Sequence, residues 1–314
     1  MDPFTLTVVH LVTHSGGFHA DEVFSSVILT KLFPNAHVVR SRAPQWIKPA
    51  PERLIYDVGG AYDAAAGIFD HHQRGAPLRP DGQPFSSFGL IWHHFGRAYL
   101  SANAVPPEDI EALHASFDAS FVLPVDLVDN GVISLSEAGP LASMTLPGLI
   151  ETLKPVFDST NPAAEEAGFQ LALTIARSFT EARIVNSAAK RRAEAVVHQA
   201  IVAAGNSRIL ELPSGMPFRP AIVKAGADHL LFVVHPRQQD WCVTGIRQSE
   251  DGYAQRADLP AAWAGLTGAA LEQACGVQGA SFCHNARFIA AATTRAAALA
   301  MADLAVAEAL ALQA

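Results

Sequence analysis

The run Asp70-His71-His72 places three side chains able to bind a metal ion or move a proton next to one another. It directly follows the apolar stretch Gly67-Ile68-Phe69. Such a stretch reads as the end of a buried strand that delivers polar groups to one rim of a sheet. Alone, the tripeptide is weak, because paired histidines in loops are often only solvated. Three further segments present the same residue types at predicted strand ends or turns: His14 with His19 and Asp21, the isolated Asp57, and Asp126 with Asp129. Mixed imidazole and carboxylate donors suit manganese, zinc, iron or cobalt better than calcium, which takes oxygen alone. His14, His19, Asp21, Asp57, His71 and Asp129 are too many for one tetrahedral ion. They suit two ions bridged by a carboxylate, and Asp57, with no other candidate in its segment, is the expected bridge. Two dications against three carboxylates leave a local charge of roughly +1, which attracts phosphate and lowers the pKa of a water held between the ions. His72 is then left to contact a phosphoryl oxygen or move a proton, and Asp70 to act with it or to orient a histidine. Asp126 is open to three readings: ligand, outer partner of a ligand, or helix cap.

The elements that must position these groups follow from the pattern around them. Leu6 to Val12 is short and rich in β-branched residues, so it reads as a buried strand. The pair Gly16-Gly17 turns the chain, and Asp21-Glu22 suits the first turn of a helix that runs on through Leu32 and stops before Pro34. Further strands are predicted at Ala36 to Val39, Arg53 to Tyr56 and Ile68-Phe69. A helix is predicted from Phe85 to Tyr99, with an N-cap and a close-packing glycine in Ser86-Ser87-Phe88-Gly89. Pro162 to about Ala204 reads as one or two long alanine-rich helices joining two domains, with Lys190-Arg191-Arg192 as a solvated face. Beyond it, short strands are predicted at Arg208 to Leu212, Ala221 to Lys224, Leu230 to Val234 and Trp241 to Arg247, and an alanine-rich helix from Phe288. Arg247 and Arg256 carry the fork that matches phosphate, a geometry that strand-end arginines also leave to solvent. His93-His94 read as helix surface. The expected organisation is a catalytic domain over 1–185, a helical connector over 186–205 and a substrate-binding domain over 206–314.

Composition narrows the class. Half of the 314 residues are apolar and 17% are charged, which describes a globular chain with a large core. No apolar run is long enough for a membrane span and no secretory leader is visible. Three scattered cysteines argue against a disulfide framework and suit a reducing cytosol, so a cytoplasmic protein is expected. A net charge of −8 argues against a broad nucleic-acid-binding face, without excluding a small cleft made cationic by metal ions.

Taken together, the motifs resemble the Myg family within the DHH superfamily of metal-dependent phosphoesterases. The likeness is carried by Thr13-His14-Ser15-Gly16-Gly17-Phe18-His19-Ala20-Asp21-Glu22-Val23 and Phe69-Asp70-His71-His72-Gln73. It continues in Asp126-Leu127-Val128-Asp129-Asn130-Gly131 and Leu259-Pro260-Ala261-Ala262-Trp263-Ala264-Gly265-Leu266. It implies an α/β fold, with a DHH-type domain of mainly parallel sheet flanked by helices and a smaller C-terminal α/β domain across a cleft. It also implies divalent metal, two Mn2+ first among Mg2+, Zn2+ and Co2+, and a hydrolase of the 3′-to-5′ exonuclease type acting on RNA or short oligonucleotides. His284 matches the histidine of the superfamily's substrate-gripping motif, and Arg287 and Arg247 join it as substrate-binding candidates. Two departures stand out. His19 occupies a position where many superfamily members have aspartate, and Ser281-Phe282-Cys283-His284-Asn285-Ala286-Arg287-Phe288 replaces a glycine-rich run. The alternative function is a phosphatase or pyrophosphatase acting on a small phosphorylated molecule. A third class is a metal-dependent binding protein without catalysis. An oligomer is compatible with all of these.

Overall fold

The computed structural model describes residues 8–249 and 252–312, and the start of the first predicted strand, Leu6-Thr7, lies outside them. The chain divides into two compact units, Met1–Ala188 and Ala189–Ala314. Both are α/β.

In the first unit a five-stranded sheet is built from β1 (His10–Thr13), β2 (His37–Arg40), β3 (Arg53–Tyr56), β4 (Tyr62–Asp63) and β5 (Ile68–Phe69), in the order β2-β1-β3-β5-β4. The pairs β1–β2, β1–β3 and β3–β5 are parallel and only β4–β5 is antiparallel. Parallel strands this short carry side chains buried on both faces, which is why they read as continuous apolar runs without alternation. Helix α1 (Ala20–Leu32) follows β1 and packs against α2 (Ser87–Ala102), which has Ser86 as N-cap, its side chain accepting from the Phe88 N–H. Phe24, Phe88 and Phe121 meet between them at ring distances of 4.9 to 6.0 Å. Next come α3 (Pro107–Phe117), a one-turn π segment, α4 (Leu123–Asp129) and α5 (Leu146–Glu151). The long alanine-rich stretch is one helix, α6 (Ala164–Ala204). The unit boundary falls within it.

The second unit holds β6 (Ile209–Glu211), β7 (Phe232–Pro236), β8 (Trp241–Gly245), β9 (Ala280–Cys283) and β10 (Ile289–Ala292), in the order β6-β7-β8-β10-β9. Its helices are α7 (Arg219–Lys224), α8 (Gly268–Cys275) and α9 (Arg295–Ala311). Two predicted elements differ. Ala221 to Lys224 lies in α7 rather than a strand, because Pro220 suits a first helical turn and removes a donor a sheet would need. The residues just after Phe288 form β10 before the chain turns into α9, since Ala290–Ala292 are buried between β8 and β9, where small side chains fit. Among the described residues no helix is long and apolar enough to cross a membrane.

Candidate metal centre

Parallel strands β1, β3 and β5 all end at the same rim, so the residues that follow them converge there. His14 follows β1, Asp57 follows β3, and Asp70-His71-His72 follows β5. His19 is the N-cap of α1, Asp21 and Glu22 lie in its first turn, and Asp129 is the last residue of α4. The loop between β1 and α1 is clamped at Gly16, whose N–H donates to Glu165 at 2.7 Å and whose carbonyl accepts from Arg40.

Asp57 is the hinge of the arrangement. Its Oδ2 lies 3.1 Å from His14 Nε2 and its Oδ1 lies 3.2 Å from His71 Nε2, so its two oxygens face two different imidazoles. It holds this position with a φ of 57°, a left-handed conformation that aspartate tolerates better than most residues but that still costs about 1 kcal/mol or more. Around His14 the second neighbour is Glu22 Oε1 at 3.1 Å. Around His71 the others are Asp129 Oδ2 at 3.3 Å and Asp21 Oδ2 at 3.9 Å. His19 joins both halves, with its donor grouped with His14 and Glu22 on one side and with Asp21 and Asp129 on the other. Of the seven residues expected as ligands, His14, His19, Asp21, Asp57, His71 and Asp129 are brought together.

The electrostatics are those of a site short of positive charge. Burial pushes the Asp21 and Glu22 carboxyls up, with the neighbouring carboxylates adding to it, and Glu22 reaches about 8. Burial and Asp21 lift Asp129 to about 9. Asp57 is the exception: burial would raise it, but hydrogen bonds from His14 and His71 outweigh that and hold it at about 2. Burial works against charge on His14 and His71, yet their carboxylate partners raise them to about 10 and about 9. Asp21 Oδ1 is buried with no hydrogen-bond partner among the described residues. Three buried carboxylates, Asp21, Glu22 and Asp57, with the partly exposed Asp129, an orphaned oxygen and three converging imidazoles fit a divalent transition metal, which would supply the missing charge.

Asp70 does not face this cluster. Its oxygens accept from the Gly60 N–H at 2.6 Å, the His71 N–H at 2.8 Å and His72 Nδ1 at 2.7 Å. It therefore orients His72, and that hydrogen bond raises the half-exposed imidazole's pKa. Asp126, expected among the ligands, is placed elsewhere. Its carboxylate pairs with Arg79 at 2.6 Å and accepts from Ser86 Oγ at 2.6 Å and the Gly89 N–H at 3.0 Å, so its oxygens are committed to a buried knot between α2 and α4. Gly89 is required there, since a Cβ would overlap that carboxylate.

A cavity of about 480 Å³ opens beside the cluster, lined by His14, His19, Asp57, His71, His72 and Asp129, with Val125, Val128, Leu135 and Pro147 among its apolar walls. Two groups there escape sequence reasoning. Glu22 looks like an ordinary first-turn acid, and what sets it apart is burial against His14 and other carboxylates. Arg42 also lines the cavity, its Nε donating to the Ser15 carbonyl at 3.2 Å. Its position just past the end of β2 is the signal that could have found it.

The remaining candidates lie in the second unit. His284 opens the turn between β9 and β10, and its Nδ1 accepts from the Ala286 N–H at 3.0 Å, so the neutral ring carries its proton on Nε2. Arg247 stacks over the Tyr253 ring at 4.9 Å, and its buried Nε has no hydrogen-bond partner among the described residues. Arg287 is already engaged: it pairs with Asp258 at 2.9 Å and donates to the Leu259 carbonyl, latching a turn in which its own φ is 56°.

The MYG1_exonuc family model, described as "Uncharacterised protein family (UPF0160)", matches residues 10–306. The chain belongs to this family. Among its relatives, mouse MYG1 exonuclease is 31% identical over 92% of this chain and 83% of its own length. Human MYG1 exonuclease is 30% identical over 92% and 84%. The fission yeast MYG1 protein C694.04c is 31% identical over 94% and 96%. Among solved structures, RecJ from Thermus thermophilus in complex with Mn2+ is 14% identical with a TM-score of 0.27, over 96% of this chain and 52% of that one. An exonuclease RecJ bound to manganese is 16% identical with a TM-score of 0.27, over 96% and 90%. The chain spans about half the length of the Thermus protein.

Proposed function

We propose that this chain is a hydrolase of the DHH type, a divalent-metal-dependent phosphodiesterase that removes nucleotides from the 3′ end of RNA or of short oligonucleotides. The observation that carries the reading is Asp57, whose two oxygens face His14 and His71 separately, as a carboxylate bridging two ions would. The names of the mouse and human relatives support the exonuclease class. His14, His19, Asp21, Asp57, His71 and Asp129 would hold two ions, Mn2+ in the first instance, which supply charge to polarise a phosphate and to acidify a water. The protein's own part is positioning and proton handling. His72, oriented by Asp70 and open to the cavity, donates a hydrogen bond to the phosphoryl group or a proton to the departing oxygen. Val125, Val128, Leu135 and Pro147 give the sugar and base an apolar wall that limits water. In the second unit, His284 Nε2 and the Arg247 guanidinium are the donors suited to hold the rest of a strand, the role expected for residues 206–314. A cytoplasmic location accompanies this reading.

A second reading, hydrolysis of a small phosphorylated molecule or pyrophosphate, draws on the cavity wall, which among the described residues contains no Phe, Tyr or Trp on which bases could stack. One panel separates the two. Manganese-loaded protein is incubated with labelled oligonucleotides of several lengths, with pyrophosphate and with a generic phosphomonoester. Shortening of oligonucleotides one nucleotide at a time from the 3′ end is expected, and turnover of only the last two substrates would replace the exonuclease reading with the second.

A further inference from the structure

Glu22 lies in the first turn of α1, and capping accounts for part of its geometry: both of its oxygens lie 2.8 Å from the His19 backbone nitrogen. Capping does not account for the rest. A solvated carboxylate caps a helix equally well, whereas Glu22 is wholly buried, and its donor groups with those of Asp21 and Asp57 within 4.8 Å of one another. Burying a further negative charge among these is costly unless something cationic sits between them.

The spacing of the atoms points the same way. His14 Nε2 is 3.1 Å from Glu22 Oε1 and 3.1 Å from Asp57 Oδ2. Donors bound to one ion at about 2.1 Å stand about 3.0 Å apart at right angles and about 3.4 Å apart at tetrahedral angles. The His14 ring is also turned for this role. Its Nδ1 donates to the Ser15 carbonyl at 3.2 Å, so in the neutral ring the Nε2 lone pair points at the two carboxylates. Such a lone pair, facing two anions, requires a proton or a metal ion between them.

We infer that Glu22 is a ligand of the first metal ion, giving that ion two imidazoles, His14 and His19, and two carboxylates, Glu22 and Asp57. The inference rests on the proposed reading of the centre as a metal site. It changes the charge of that site: Asp21, Glu22, Asp57 and Asp129 offset two dications to about zero, where three carboxylates leave roughly +1. The pull on a substrate phosphate then falls more heavily on the cavity's own cation, Arg42.

Glu22→Gln tests this, because glutamine keeps an oxygen for the His19 N–H, as capping boxes allow, and removes the charge. The readouts are metal content after dialysis against manganese and the visible absorption of the cobalt-loaded protein. Wild type is expected to hold two ions. The variant is expected to hold one, with a first-site affinity down more than about 100-fold, beyond the 10- to 100-fold typical of an outer partner. Its cobalt bands should change in position and intensity. Two ions with wild-type cobalt bands in Glu22→Gln would overturn the inference. If the variant does not fold, anomalous diffraction from manganese-soaked wild-type crystals decides: a Glu22 oxygen within about 2.5 Å of an ion supports the assignment, and a separation beyond about 3 Å overturns it. Ions bound away from Glu22 refute this inference alone, whereas wild type that takes up no ion refutes the metal reading as well.

Discussion

Asp57→Asn separates a bridging role from every other role the residue can play. Asparagine has the same shape and tolerates the left-handed φ of 57° that position 57 requires, so the backbone is not the variable. What is lost is the charge facing His14 Nε2 at 3.1 Å and His71 Nε2 at 3.2 Å. Removing an outer partner of a ligand already costs 10- to 100-fold in affinity, so losing a shared ligand is expected to cost each ion about 100-fold. At free metal near ten times the wild-type dissociation constant, each site then falls from about 90% to about 9% occupied. Double occupancy falls about 100-fold, and activity with it, and added metal restores that part. His72→Ala is expected to behave differently: His72 Nδ1 is committed to Asp70 at 2.7 Å, nearer than Asp57 at 3.7 Å, and the ring lines the cavity, so its loss of on the order of 10²- to 10⁴-fold persists at every metal concentration. The assay is kcat/KM across a manganese titration for wild type and both variants, alongside metal content. An Asp57→Asn protein with wild-type ion content and an unshifted metal midpoint would refute the bridging assignment. A shifted midpoint in His72→Ala would refute its placement outside the metal shell.

Three further outcomes follow from the same geometry. Asp126→Ala leaves Arg79 paired with Asp118 at 2.6 Å but unpairs Ser86 Oγ and the Gly89 N–H in a buried knot, so unfolding free energy measured in urea should drop by about 1–3 kcal/mol, while metal content at low temperature stays that of wild type. Gly89→Ala forces a methyl into the Asp126 carboxylate and should cost about 1–3 kcal/mol in the same measurement, again without loss of metal. The pH dependence of metal stabilisation has a definite sign. In the metal-free protein Glu22 and Asp129 are raised to about 8 and about 9, and His14 and His71 to about 10 and about 9. Groups raised above their unfolded values contribute stability that is lost between the unfolded and the folded value, so the metal-free protein weakens from about pH 4.5 upward and most steeply above the ordinary histidine value of 6.5, where all four groups act together. Ions displace those same protons and bind more tightly as pH rises. The gap in Tm between manganese-loaded and chelated protein should therefore widen from pH 6 to pH 9, and a gap that narrows would refute the coupling.

Much of the first unit is legible in sequence because its strands are short apolar runs punctuated by the chemistry they deliver. β3 ends at Tyr56 and is followed at once by Asp57, and β5 ends at Phe69 before Asp70. The second unit is less so. Ala221-Ile222-Val223-Lys224 has the β-branched character of a strand, and what makes it a helix is the proline before it and burial against Val197 and Leu210, which no local pattern reveals. Ala290–Ala292 has the opposite problem, since alanine favours helix until a sheet with room for only small side chains claims it.

For carboxylates the missing information is the identity of the neutralising partner. Asp126 and Glu22 are each within three residues of a ligand candidate on a helix, and the sequence offers Asp126 as a possible ligand and Glu22 only as a first-turn acid. The fold gives the two carboxylates different partners. Arg79, 47 residues before Asp126, supplies that carboxylate's charge balance at 2.6 Å. Glu22 is left facing His14 and other carboxylates, with no arginine or lysine paired to it among the described residues. Burial is the same for both, at 0% exposure, so burial alone decides nothing. A buried carboxylate with a guanidinium partner needs no further cation, and one without such a partner has a charge that only a proton or a metal ion can answer. That distinction depends on contacts across tens of residues, which is why Glu22 emerges only once the chain is folded.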